Sequence, residues 1–251
     1  MNNFTDEEKK EAIATNYANV AVSSNGESSC CANKKQSLKL GYSQEQLDNT
    51  PNGADKGLGC GNPIAIASLR KGETVLDLGS GAGIDCFLAS KEVGKDGLVI
   101  GVDMTWQMIT KSRENKIKNG YDNIDFRLGE IENLPVADCV IDVIISNCVI
   151  NLSINKQRVF DEVYRVLKNG GRLAISDIVL TKKIPQEMIT LDSYGSCIAG
   201  ANFIDDLKTM LEKSGFKDIK INPKDGSHQF LKDWSKNIEN YIVSANIEAI
   251  K

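Results

Sequence analysis

Three alternating glycines stand between two patterned segments in the run Asp77-Leu-Gly-Ser-Gly-Ala-Gly83. The apolar residues before them predict a buried strand over 74–78, and those after them predict a helix over 84–93. Glycine permits a tight turn and leaves room for a ligand to approach the backbone. The run therefore indicates an open α/β sheet that binds a nucleotide-like ligand at this turn.

The rest of the chain alternates in the same way. Predicted strands cover 98–103, 124–128, 141–146 and 172–176, with helices over 105–119 and 155–167. This rhythm is typical of right-handed βαβ units and a parallel sheet. Later segments predict helices over 185–194, 205–214 and 230–238 and strands over 217–221 and 241–250. We expect a Rossmann-like α/β fold whose mostly parallel, seven-stranded sheet carries helices on both faces and an antiparallel edge strand.

Three regions are expected along the chain. Residues 1–62 form a helix and a cysteine-bearing arm, 63–180 the ligand-binding core, and 181–251 a second binding segment with the sheet-edge strands. Thr5 and Glu8 make a capping box for a helix that reaches about Tyr17. Residues 23–61 are rich in Ser, Asn and Gly and predict a long loop, with a short helix at 43–47.

Composition narrows the classes of function. The 251 residues carry a net charge of −4 and a pI near 5.3, which argues against nucleic-acid binding. Neither a signal peptide nor a run long enough for a membrane helix is evident, so we expect a cytoplasmic protein, and nothing demands more than a monomer. In a reducing compartment the seven cysteines are expected as free thiols, ligands or redox groups.

A second acidic residue follows the glycine turn, at the end of the next predicted strand. Asp103 ends the next strand, about 20 residues after Gly83, where a carboxylate can accept both ribose hydroxyls. The glycine spacing is not Gly-x-Gly-x-x-Gly, which disfavours a dinucleotide and hence a dehydrogenase. The pattern resembles motifs I and II of the class I S-adenosylmethionine-dependent methyltransferases. The resemblance implies that the cofactor contacts Asp77, Gly79, Gly81, Gly83, Asp103, Met104, Gly129, Glu130, Ile131 and Asn147.

Three cysteines lie in unusual surroundings. They occur in Gly59-Cys-Gly-Asn-Pro63, Ser146-Asn-Cys-Val-Ile-Asn-Leu152 and Cys197-Ile-Ala-Gly-Ala201. With Gly101-Val-Asp-Met-Thr105 and Tyr164-Arg-Val-Leu-Lys168, these runs resemble the bacterial and archaeal arsenite methyltransferases. The resemblance implies that Cys148 and Cys197 hold arsenic in every methylation step and that Cys60 is the third ligand, needed most for the first.

The same resemblance implies a redox step in the arm. Cys30 or Cys31 would form a disulfide with a core ligand after arsenic is oxidised, and a thiol reductant such as thioredoxin or glutathione would reset it. Thiols suit this substrate because trivalent arsenic is thiophilic, and its lone pair can attack the sulfonium methyl. We assign no site role to Cys86 or Cys139.

Two other classes of function remain open on the sequence. One is a methyltransferase of this fold that acts on a small organic metabolite, with the thiols incidental. The other is a non-catalytic thiol module that sequesters or senses metalloids. The only histidine, His228, lies in a turn-like Asp-Gly-Ser context and is expected at the surface rather than as a base.

Overall fold

The computed structural model describes residues 4–22 and 34–251. Cys30 and Cys31 therefore lie outside the described residues. The first helix, α1 (Asp6–Val22), begins with the predicted capping box, in which the Glu8 amide donates to Thr5 Oγ1 and the Thr5 amide donates to Glu8. It continues one turn past the predicted end. None of the described helices has the length and apolarity needed to cross a membrane.

The strands of the described residues are β1 (Thr74–Leu78), β2 (Leu98–Asp103), β3 (Ile124–Leu128), β4 (Ile141–Asn147), β5 (Leu167–Leu180), β6 (Asn202–Phe203), β7 (Lys217–Pro223) and β8 (Ile242–Ile250). They form one sheet in the order β3-β2-β1-β4-β5-β8-β7. The first five of these are parallel, whereas β8 runs antiparallel to both β5 and β7. The short β6 pairs with the end of β5, which gives eight strands instead of the predicted seven.

Helices cover both faces of this sheet, as the sequence predicts. Two apolar clusters result, one packed around Phe87 and Phe126 and the other around Phe160 and Leu211. The remaining helices are α2 (Lys34–Lys39), α3 (Gln44–Asp48), α4 (Ile64–Ala67), α5 (Ile84–Val93), α6 (Trp106–Lys118), α7 (Lys156–Val166), α8 (Leu191–Gly195), α9 (Ile204–Ser214) and α10 (His228–Leu231).

Two of the three helices predicted after β5 are shorter in the structure, whereas α9 covers the whole predicted range 205–214. A separate cap divides the segment 185–194, because the Thr190 side chain accepts from the Ser193 amide and starts α8 anew. Instead of one helix over 230–238, α10 ends at Leu231 and a single 3₁₀ turn follows at Ile238–Asn240, after Asn237 in the left-handed region. A two-residue strand such as β6 carries too few positions for a periodic pattern.

Parallel strands bring several chain segments to one edge of the sheet. The residues that follow β1, β2, β4 and β5 all emerge at the carboxyl edge. Ligands of open α/β sheets bind in the crevice outside this edge. The glycine turn, Asp103, Cys148 and the end of β5 are thereby close to one another in space.

Candidate active site

A cavity opens at the carboxyl edge, between the glycine turn and the ends of β2 and β4. Most of the predicted cofactor residues line it, namely Asp77, Gly79, Gly81, Asp103, Met104, Gly129, Ile131 and Asn147. Two predicted residues do not. Gly83 packs its α-carbon against Phe87 and Phe126, and Glu130 forms an ion pair of 3.5 Å with Lys10.

Asp103 organises the glycine turn. Its carboxylate accepts from the Gly81 amide at 2.9 Å and from the Thr105 amide at 2.8 Å. The side chain is nearly buried, and burial raises the pKa of its carboxyl. One acid thus joins the end of β2 to the turn after β1, and it faces the cavity where ribose hydroxyls would lie.

Two further acids line the cavity beside the turn. Asp77 is 2% exposed and Asp85 4% exposed, and neither belongs to an ion pair among the described residues. Burial raises the pKa of Asp77 well above its usual range and that of Asp85 to about 6. Buried carboxyls without a cationic partner are costly. A sulfonium ligand with an α-ammonium group would compensate this cost, so the cavity fits S-adenosylmethionine.

Cys60, Cys148 and Cys197 come together beside this cavity. All three are at most 5% exposed, and only Cys148 lines the cavity itself. The sulfurs of Cys60 and Cys148 and a carboxylate oxygen of Asp177 lie within 4.8 Å of one another. Cys148 is also in side-chain contact with Cys197, whose thiol donates to the Cys148 carbonyl at 2.7 Å. Burial raises the pKa of both Cys60 and Cys148.

Two of these cysteines have an uncommon backbone conformation. Cys148 has a φ of 59° and Cys197 a φ of 62°, both in the left-handed region that disfavours a side chain. The loop that carries Cys197 also lies unusually close to its neighbour. A Cβ at Gly200 would lie 1.9 Å from the Asn151 carbonyl oxygen, so this approach requires glycine. Such strain is typical of functional sites.

Asn147 connects the thiols to the cavity beside the glycine turn, which we call the donor cavity because it fits the methyl donor. It lines that cavity, and its Oδ1 accepts from the Cys60 amide at 2.9 Å. Its Nδ2 donates to the Gly61 carbonyl at 2.7 Å and to the Tyr42 hydroxyl at 2.9 Å, which in turn donates to Asp85 at 2.8 Å. One side chain therefore fixes the Cys60 loop in relation to the acids of the cavity.

Asp177 completes the surroundings of the thiols. Its carboxylate accepts from Asn151 Nδ2 at 2.8 Å and from the Ile178 amide at 2.7 Å. Burial nevertheless raises its pKa to about 6. The other two described cysteines lie apart, since Cys86 donates to Asp77 at 3.2 Å on the donor side and Cys139 is exposed.

Sequence reasoning missed Tyr42, Asp85 and Asp177. Asp85 is an acid in the first turn of a helix, where carboxylates are common for electrostatic reasons alone. Tyr42 belongs to the segment predicted as a loop. The sequence does carry a signal for Asp177. It is an acidic residue in the largely apolar run Ser176-Asp-Ile-Val179, at the end of a predicted strand.

Known proteins share this fold and part of this sequence. Residues 69–215 match the family described as "Methyltransferase domain". Phosphoethanolamine N-methyltransferase 2 of Haemonchus contortus, solved with S-adenosylmethionine, has the same fold with a TM-score of 0.62 at 18% identity, over 80% of this chain and 53% of that one. The chain therefore belongs to the methyltransferase-domain family.

Relatives with higher sequence identity identify the family more specifically. An arsenite methyltransferase of Halobacterium salinarum is 51% identical over 98% of this chain and 67% of its own length. The structure of an arsenic(III) S-adenosylmethionine methyltransferase from Chlamydomonas reinhardtii has a TM-score of 0.65 at 33% identity, over 86% of this chain and 73% of that one. The chain belongs to the arsenite methyltransferases. It covers 44% of the human arsenite methyltransferase, to which it is 38% identical over 63% of its own length.

Proposed function

We propose that this chain transfers methyl groups from S-adenosylmethionine to trivalent arsenic held by the thiolates of Cys60, Cys148 and Cys197. The observation that carries the proposal is the position of Cys148. It lines the donor cavity and also contacts the other two thiols. An arsenic atom bound to Cys148 would therefore lie beside the space that the methyl donor occupies.

Binding exchanges the oxygen ligands of arsenic for sulfur. Each thiol forms an As–S bond as an As–O bond breaks, and its proton leaves with the hydroxide as water. Burial raises the pKa of Cys60 and Cys148, so both enter the exchange as thiols at neutral pH. Asp177, within 4.8 Å of both sulfurs, is placed to accept a thiol proton during the exchange.

Methyl transfer then depends on position more than on proton transfer. When bound, S-adenosylmethionine supplies an electrophilic methyl group, which the arsenic lone pair takes as the sulfonium carbon–sulfur bond breaks. Asp77 and Asp85 offer negative charge to the cationic donor, and Asp103 offers a carboxylate to its ribose. Asn147 holds the Cys60 loop, so approach geometry is set by fixed side chains.

The three cysteines have different proposed duties. Cys148 and Cys197 bind arsenic in every round, and Cys60 acts chiefly in the first, before a methyl group replaces one ligand. Cys30 or Cys31 in the arm accepts the oxidising equivalents as a disulfide with a core cysteine. A thiol reductant of the thioredoxin or glutathione class then restores the thiols.

The direct test combines the purified protein with S-adenosylmethionine, arsenite and a thiol, and measures methylated arsenicals. We expect product, and we expect Cys60→Ser to slow the methylation of arsenite more than that of monomethylarsenite. Equal losses on the two substrates would remove the special role of Cys60. The matched control is Cys139→Ser, because Cys139 is exposed and distant from the site.

Two outcomes would favour the other classes of function. Arsenite binding without any methylated product would favour a sequestering module. Methylation of an organic acceptor by the triple variant Cys60→Ser, Cys148→Ser and Cys197→Ser would favour an enzyme of small-metabolite metabolism.

A further inference from the structure

Cys60 is one of the residues that line a second cleft. This cleft lies between α2 and the segment 224–233. Its walls include Lys39, Gly41, Lys224, Gln229 and Lys232. Among the described residues, it shares no lining residue with the donor cavity.

The thiol cluster lies between the two cavities. Cys148 lines the donor cavity, Cys60 lines the second cleft, and their sulfurs are within 4.8 Å of each other. A single arsenic atom can therefore bridge the sulfur of a residue that lines one cavity and the sulfur of a residue that lines the other.

Entry of the arsenical through the donor cavity would conflict with methyl transfer. During methyl transfer the donor occupies the cavity that leads to Cys148, with its methyl group toward the arsenic. Repeated methylation must admit the arsenical and release the product at the same thiols. A separate route lets the acceptor move while the donor cavity stays filled.

The second cleft is chemically suited to a small polar solute. The Lys224 ammonium lies 3.5 Å from Ser176 Oγ and beside Gly61, next to the cysteine. Lys39 pairs with Asp233 at 3.1 Å, so charges of both signs line the walls. Arsenous acid, which is neutral and hydroxylated at neutral pH, can exchange hydrogen bonds with such groups.

We propose that the trivalent arsenical reaches the thiols through this second cleft, with Cys60 as the first thiol it meets. The proposal rests on the proposed function and adds the route of the substrate. In the first step Cys60 Sγ bonds to arsenic, one As–O bond breaks, and the thiol proton leaves with the hydroxide as water. The Cys60 sulfur is buried, so this step requires a transient shift of the Gly59-Cys-Gly61 loop that breaks its hydrogen bond to Asn147. Glycine on both sides of Cys60 permits such a change of backbone conformation.

The test measures how fast arsenite is captured, by rapid filtration and arsenic quantification, with and without saturating S-adenosylhomocysteine. We expect the filled donor cavity to change the capture rate little, because the acceptor does not pass through it. A bulky side chain in the wall of the second cleft, Gln229→Trp, should slow capture about tenfold in both conditions. The matched control is His228→Trp, an exposed neighbour on the same helix that does not line the cleft.

The results of these measurements distinguish failure of the proposed route from failure of the proposed function. Capture that S-adenosylhomocysteine slows about tenfold, while Gln229→Trp has no effect, would overturn the route. If Gln229→Trp does not fold, as judged by circular dichroism, Lys39→Trp on the facing wall takes its place. Absence of capture by the unaltered protein would overturn both route and function. Capture through the cleft without methylation would overturn the function alone.

Discussion

The donor cavity and the thiol cluster meet at Cys148 but are assembled differently. The glycine turn and the three buried carboxyls of the donor cavity come from one continuous unit, in which β1, the glycine turn, α5 and β2 follow one another along the chain. The thiols come from three separate loops, and Cys197 and Cys148 are 49 residues apart in sequence. Under the proposed function, a donor site built from neighbouring chain segments is combined with an acceptor site built from distant loops at one edge of the sheet.

The two regions also differ in electrostatics. Carboxyl groups line the donor cavity, and burial raises their pKa because they lack a cationic partner within the described residues. Buried thiols form the proposed acceptor site, and Asp177 lies within 4.8 Å of the Cys60 and Cys148 sulfurs. The donor cavity is thus suited to a cationic ligand, and the thiol cluster is suited to a soft, uncharged arsenic centre. If the regions are independent, substitutions in one should leave ligand binding in the other unchanged.

The largest expected effect is that of Cys148→Ser. Methylation should fall more than about a hundredfold, because a serine oxygen is a poor ligand for arsenic and the acceptor loses its place beside the donor. Isothermal titration should find the affinity for S-adenosylhomocysteine unchanged. A parallel loss of that affinity would show that the two regions cannot be separated.

Next in size is Asp103→Asn. A neutral amide accepts more weakly from the Gly81 and Thr105 amides and from a ribose, so donor affinity should fall about thirtyfold. Arsenite capture should stay as in the unaltered protein. Asp125→Asn is the control, since Asp125 pairs with Arg127 on β3 outside the cavity. Slower arsenite capture in Asp103→Asn alone would contradict the separation.

A pH effect of intermediate size should distinguish donor from product. Asp85 has a pKa of about 6, so lowering the pH from neutral through that value protonates the carboxylate and removes its negative charge. Affinity for S-adenosylmethionine, whose sulfur carries a positive charge, should fall about tenfold by pH ~5. Affinity for the product S-adenosylhomocysteine should fall less, because its sulfur is uncharged. Titration of both ligands across this range checks the prediction. Equal pH dependence would argue that Asp85 does not sense the donor's charge.

The smallest expected effect tests the connection between the regions. Tyr42→Phe removes the hydroxyl that joins Asn147 to Asp85, and the Cys60 loop should lose part of its support. We expect arsenite methylation to slow about threefold, with monomethylarsenite methylation less affected. Tyr121→Phe is the control, because that ring packs on Phe87. An equal effect on both substrates would indicate general destabilisation instead of a role toward Cys60.

This contrast also explains what the sequence could predict. The glycine turn, Asp103 and the parallel order depend on neighbours in the chain, and eight of the ten predicted cofactor residues line the cavity. Asp85 was not predicted because its position in a helix has an ordinary explanation. Tyr42 and Asp177 gain their roles only from tertiary contacts, which local patterns do not encode. The seven-stranded expectation was one short because β6 has two residues.

The left-handed backbone at Cys148 and Cys197 has an evolutionary consequence. A side chain in that conformation costs about 1 kcal/mol or more relative to glycine, so the fold tolerates these residues at some expense of stability. Arsenic binding by these two thiols, as proposed, is what would hold cysteine there. A lineage released from arsenic exposure should therefore acquire glycine or asparagine at 148 and 197 early, while its methyl-donor turn persists and becomes available to other acceptors.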